Sequence, residues 1–160
     1  MQIDFQPIGI IHSPFHDLRE MPIQPSGETG ASGMIEIYSE YAAGLQDLDG
    51  FSHIILLYYF HGAGPTRMTV TPFLDSHPHG VFATRAPVRP NPIGLSVVPL
   101  LKIKGNTLYV DHLDILDGTP LLDIKPYVPE FDEQQNIRTG WFEQTKGKAK
   151  RTKSDDRFIG

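Results

Sequence analysis

The chain has 160 residues, 39 % of them apolar and 21 % charged, which fits a single soluble folded domain and excludes an intrinsically disordered one. A formal net charge of −5 argues against a generic nucleic-acid coat, and no window approaches the roughly 18 apolar residues of a membrane helix. The absence of cysteine excludes disulfides, thiolate zinc sites and cysteine nucleophiles; with no signal-peptide pattern at the start, it points to a cytoplasmic protein with no membrane association.

Fourteen prolines and fifteen glycines punctuate the chain too often for long helices. Phe5–Ile11 reads as a first strand, and "GMIEIYS" (33–39) alternates apolar and polar residues as a half-buried strand does. In "EYAAGLQDLDGF" (40–51), Tyr41, Leu45 and Leu48 fall at helical spacing and Gly50 stops the pattern, so a short helix is expected. The β-branched and aromatic run "SHIILLYYFHG" (52–62) is the best candidate for a central strand. "RMTVTPF" (67–73), "GVFATR" (80–85) and "IGLSVVPLLKIKG" (93–105) follow as further strands. Gly105-Asn106 then joins "LLKIK" to "TLYVDHLDIL" as a hairpin. Many short strands with one or two short helices predict an all-β barrel or sandwich.

The chemistry-bearing patterns are fewer. His77 and His79 flank Pro78 beside Asp75, but the spacing matches no metal-ligand signature, so no metal site is expected. There is no G-x-S-x-G, no G-x-G-x-x-G and no P-loop; "GAGPTR" (62–67) lacks the Lys-Ser/Thr that would hold a phosphate and magnesium. Six of the 14 basic residues lie in the last fifteen positions, which reads as a solvated terminus or as a weak phosphate-binding arm. Two stretches carry more constraint than a simple connection needs. "ATRAPVRPNPIGLS" (83–96) sets three prolines around Arg85, Arg89 and Asn91 immediately before an apolar strand. "LDILDGTPLLDIKPYVP" (113–129) interrupts two apolar runs with an Asp-Gly-Thr-Pro turn.

Taken in order and spacing, "GIIHSPF", "FSHIILLYYFH", "VFATRAPVRPNPIGLSVV" and "LDGTPLLDIKPYVP" resemble the TsaA-like or TrmO family of S-adenosylmethionine-dependent tRNA methyltransferases. The resemblance spans roughly Phe5 to Pro129. It implies a TsaA-like β-barrel over residues 1–130; residues 131–160 depart from the longer family members and read as a partly disordered C-terminal extension with a basic tail. It further implies a homodimer that binds S-adenosylmethionine near the subunit interface and methylates N6 of N6-threonylcarbamoyladenosine at position 37 of tRNA.

Residues carried over on these motifs are cofactor-binding Pro25, Ser26 and Gly27, then His61 and Gly62, Arg85 and Leu95. Asp117, Gly118, Thr119 and Pro120 of the DGTP turn complete that set. Arg85 offers a fixed fork of donors for an anionic or polar end of cofactor or substrate, Leu95 an apolar face, and Asp117 an acceptor for ribose hydroxyls or an ammonium. Arg89, Asn91, Lys125 and Tyr127 are substrate-contact candidates, with Asp117 or His61 as candidate proton acceptors. The catalytic residue itself is not identified by sequence. Alternative readings are a non-catalytic S-adenosylmethionine-binding regulatory module, or a methyltransferase for another RNA or a small molecule.

Overall fold

A computed structural model describes residues 1–21, 30–145 and 156–158. Among the described residues there are eight strands: β1 (Gly9–His12), β2 (Ala31–Ile37), β3 (His53–Tyr59), β4 (Thr69–Val70), β5 (His79–Gly80), β6 (Ile93–Lys104), β7 (Thr107–Leu113) and β8 (Thr119–Pro126). Six of them close into an antiparallel barrel in the order β1-β2-β7-β6-β3-β8. The short pair β4–β5 lies apart. Of the two architectures that the strand pattern allows, the molecule adopts the barrel.

Alternation explains the closure. Along β3, Ile54, Leu56 and Tyr58 are buried while their neighbours are not, and β6 buries Gly94, Ser96 and Val98 in the same rhythm. β3 pairs with β6 on one side and β8 on the other, so the run singled out as a central strand is one. Ile11, Ile35, Ile54, Leu56, Leu108 and Leu121 are fully buried in the barrel core, each contributing about 1.5–3 kcal/mol of transfer free energy. The predicted hairpin forms at Gly105-Asn106, where Gly105 takes φ 59°, and the Asn106 amide donates to Ile37 O at 2.6 Å to tie the turn to β2.

Three local expectations are corrected. The first strand begins at Gly9 rather than Phe5. At Gly9 the backbone of Glu36 and Ile37 approaches too closely to admit a side chain. The helix expected over 40–51 is two 3₁₀ segments, Ser39–Leu45 and Leu48–Gly50, separated at Asp47, whose φ of 64° is left-handed. Tyr41 and Leu45 of the first segment pack half-buried against the barrel core, but none of its residues is fully buried. Finally, "RMTVTPF" and "GVFATR" pair over only two residues each, and Val81–Ala83 turns into a 3₁₀ segment. The cause is Arg89: its Nη1 donates to the carbonyls of Val81 (3.1 Å), Thr84 (2.8 Å) and Ala86 (3.3 Å), which requires the backbone to curl around it.

Candidate functional site

One rim of the barrel gathers the end of β3, the start of β6, the end of β7 and the start of β8. The long excursion between β3 and β6 rises over this rim and carries a small core of its own, Val70, Val81, Ala86 and Val88, sealed by Phe158. Between rim and excursion lies a cavity of about 780 Å³, within the size range of small-molecule sites. Its walls are mostly apolar, with a few polar groups converging on it.

His61, Gly62, Arg85, Arg89, Leu95 and Thr119 all line this cavity, although they come from separate parts of the chain. Leu95 is 48 % exposed, an apolar face turned to the opening rather than to the core. Thr119 Oγ1 donates to Leu116 O at 2.6 Å and stands 3.3 Å from His61 Nδ1, linking the DGTP turn to the end of β3. Arg89 is half-buried and consumed by the three carbonyls, so it shapes the wall, while Arg85 remains exposed.

Other candidates are placed elsewhere. Asp117 is outside the cavity wall: its Oδ1 accepts from Ser13 N at 3.0 Å, with His12 Nδ1 at 3.7 Å and His16 Nδ1 3.5 Å from Oδ2. Backbone bonds from Asp117 N to Phe15 O and Gly118 N to Ile11 O fasten this turn to β1, and Gly118 needs its φ of 77° to make it. Pro120 pairs with Ile10 in the sheet, and Asn91 is exposed away from the wall. Lys125 and Tyr127 lie beyond the far end of the cavity, since Lys125 pairs with Ile55 and Tyr127 N bonds His53 O at the start of β3. Six residue steps of extended strand separate Lys125 from Thr119, about 20 Å. Pro25, Ser26 and Gly27 fall outside the described residues.

The cavity also exposes groups that sequence reading passed over. Asp114 stands in its wall, accepting from Ser96 Oγ at 2.8 Å, and the Tyr58 hydroxyl lies 3.0 Å from the same Ser96 oxygen. Desolvation pushes the Asp114 carboxyl up to about 7, against the opposing pull of the Ser96 hydrogen bond, its own backbone N–H and the Arg85 charge. Burial, then the nearby Asp114 charge, also push the Tyr58 phenol well above its usual range. Trp141 stacks on His79 at 4.6 Å and donates to Ala83 O at 2.8 Å, and with Phe158 it completes the wall.

Comparison with known proteins decides the lineage. The family model for the tRNA-methyltransferase O N-terminal domain matches residues 10–133, the barrel and its rim. The chain belongs to the TrmO family. A probable S-adenosyl-L-methionine-binding protein of Pyrococcus abyssi is 52 % identical over 99 % of this chain and 86 % of its own length. The human tRNA (adenine(37)-N6)-methyltransferase is 36 % identical over 82 % of this chain, which spans 32 % of that enzyme. The crystal structure of TrmO from Pseudomonas aeruginosa superimposes with a TM-score of 0.73 at 39 % identity, covering 88 % of this chain and 63 % of that one. Within the TrmO frame, Trp141 and Phe158 stand beyond the matched segment and still close the cavity.

Proposed function

We propose that this chain is an S-adenosylmethionine-dependent methyltransferase acting on N6 of adenosine 37 of tRNA, with N6-threonylcarbamoyladenosine as the modified base it takes. The observation that carries this reading is the rim cavity, where His61, Gly62, Arg85, Leu95 and Thr119 of the expected cofactor set meet a desolvated polar cluster. The residues present fit S-adenosylmethionine. The Leu95 face suits a flat purine, the exposed Arg85 fork a carboxylate, and the Thr119–His61 pair the polar edge of a ribose. Cytoplasmic location and a homodimer belong to the same proposal.

The bound cofactor supplies a methyl group on a sulfonium, already activated for in-line transfer. What this chain contributes is position and exclusion of water. Arg89 holds residues 81–86 in shape before any ligand arrives, and Trp141 pins that segment through Ala83 O. Holding two reactants in an attack geometry is worth on the order of 7–11 kcal/mol in favourable cases.

A second reading, a module that binds S-adenosylmethionine without transferring its methyl group, is favoured by the similarity to the Pyrococcus relative, a probable S-adenosyl-L-methionine-binding protein. One experiment separates them. Incubation with labelled S-adenosylmethionine and tRNA carrying or lacking the threonylcarbamoyl group should label only the modified tRNA, and Arg85→Ala should weaken cofactor binding about tenfold or more in calorimetry. Cofactor binding with no label in any tRNA would leave the binding module.

A further inference from the structure

We infer that Asp114 is the counter-ion that pairs with the positive charge of S-adenosylmethionine in this cavity. The inference rests on the cofactor reading above and goes beyond it, because Asp114 is not among the residues the motifs assign to the cofactor.

The geometry sets the carboxylate apart. Asp114 follows the end of β7 and faces the cavity with Tyr58 from β3, Ser96 from β6 and Arg85 from the excursion around it; His61 lines the same cavity. Among the described residues no ion pair within 4.0 Å involves Asp114, whereas Asp17, Asp75, Asp117 and Asp123 each have a cationic or imidazole partner. The contacts it does have come from Ser96 Oγ and its own backbone N–H, and Arg85 acts on it only through longer-range attraction. A carboxylate held in a largely apolar wall without a cation is costly to ionise, and a cationic ligand entering that space removes the cost. The Ser96–Tyr58 chain behind it holds one carboxylate oxygen and fixes the group in the cavity wall.

This arrangement links binding to proton release. With its carboxyl near 7 in the free protein, Asp114 must lose a proton before it pairs with a cation. Affinity for S-adenosylmethionine therefore reaches a plateau above about pH 8 and falls about tenfold by pH 6.

The test is calorimetric, on the full chain. Titration of S-adenosylmethionine near pH 7 in buffers of different ionisation enthalpy should show proton release on binding. Asp114→Asn should weaken binding about tenfold or more at pH 8 and abolish the pH dependence. S-Adenosylhomocysteine, which keeps the ammonium but lacks the sulfonium, locates the pairing. Loss confined to S-adenosylmethionine assigns the sulfonium, and equal loss for both assigns the ammonium; either supports the pairing. Wild-type binding without proton release, or an Asp114→Asn protein with wild-type affinity and pH profile, overturns it. If Asp114→Asn does not fold, the proton-release measurement on the wild type decides alone. No binding of S-adenosylmethionine to the wild type at any pH would instead remove the cofactor reading on which the inference stands.

Discussion

At the scale of single residues, Gly94 is the position where sequence and site meet most tightly. A Cβ at Gly94 would run into the ring of Tyr58 and come within 2.9 Å of Phe60, two aromatics packed edge to face at 5.4 Å. The glycine of "NPIGLS" is thus required by close approach, and what it protects is the position of the Tyr58 hydroxyl on Ser96. Gly94→Ala should cost about 1–3 kcal/mol in urea unfolding, the usual penalty for overpacking a filled core. Gly80→Ala, with open space around it, should cost far less. Equal midpoints for the two variants would show that Tyr58 has room to move. Asp117 teaches the opposite lesson: a residue in a conspicuous motif is occupied with holding its own turn, bonded to Ser13 N with two imidazoles alongside.

At the scale of elements, the barrel strands were legible because alternation and β-branched runs are local signals, and β3, β6 and β7 follow them closely. The 80–85 segment was not legible, since its conformation is set by Arg89 several residues later. Asp114 was missed for a related reason. Buried positions are even-numbered on β7 at Leu108 and Val110 but odd-numbered at Leu113 and, just past the strand, Ile115, a slip centred on His112 at φ 52°. The β2–β7 pairing shifts at the same place, between Ala31 and Gly33. Alternation continued from Leu108 and Val110 would put Asp114 among the core residues; the slip turns it off that face to the rim, and it is invisible without the partner strand. The motif residues His61, Gly62, Arg85, Leu95 and Thr119 do gather at one cavity, whereas Lys125 and Tyr127 lie a strand's length away. Arg89→Met keeps the apolar stem and deletes three donations, each worth about 0.5–1.5 kcal/mol. Amide exchange of Val81–Ala86 should rise while β3 stays protected, and cofactor affinity should fall. Unchanged exchange in 81–86 would mean that the small core around Val81 and Val88 holds the segment unaided.

At the scale of the whole molecule, the closed barrel tolerates an unfavourable group at its rim. The folded-state carboxyl of Asp114 near 7 stands above its ordinary value of 3.8, so the folded protein holds the proton more tightly than the unfolded chain. Stability from this group is full below about pH 4, declines as pH rises, and is lost once pH passes about 7. A shift of this size is at most on the order of 4 kcal/mol. Asp114→Asn should therefore melt higher than wild type at pH 8, with the gap closing toward pH 4 in scanning calorimetry. A variant less stable at pH 8 would mean that the carboxylate supports the fold. Greater stability with weaker ligand binding is the pattern expected where a site is held against the preference of the fold. The cavity has one more property, set by the order of the chain. Every barrel strand is complete by Pro126, yet Trp141 and Phe158 still have to arrive before the wall is complete. During synthesis the barrel can close while the later residues are still in the ribosome, and the site is assembled afterwards by their docking. A polypeptide interrupted between these two points would keep the closed barrel and most of the cavity lining but lack the aromatic groups that finish its wall.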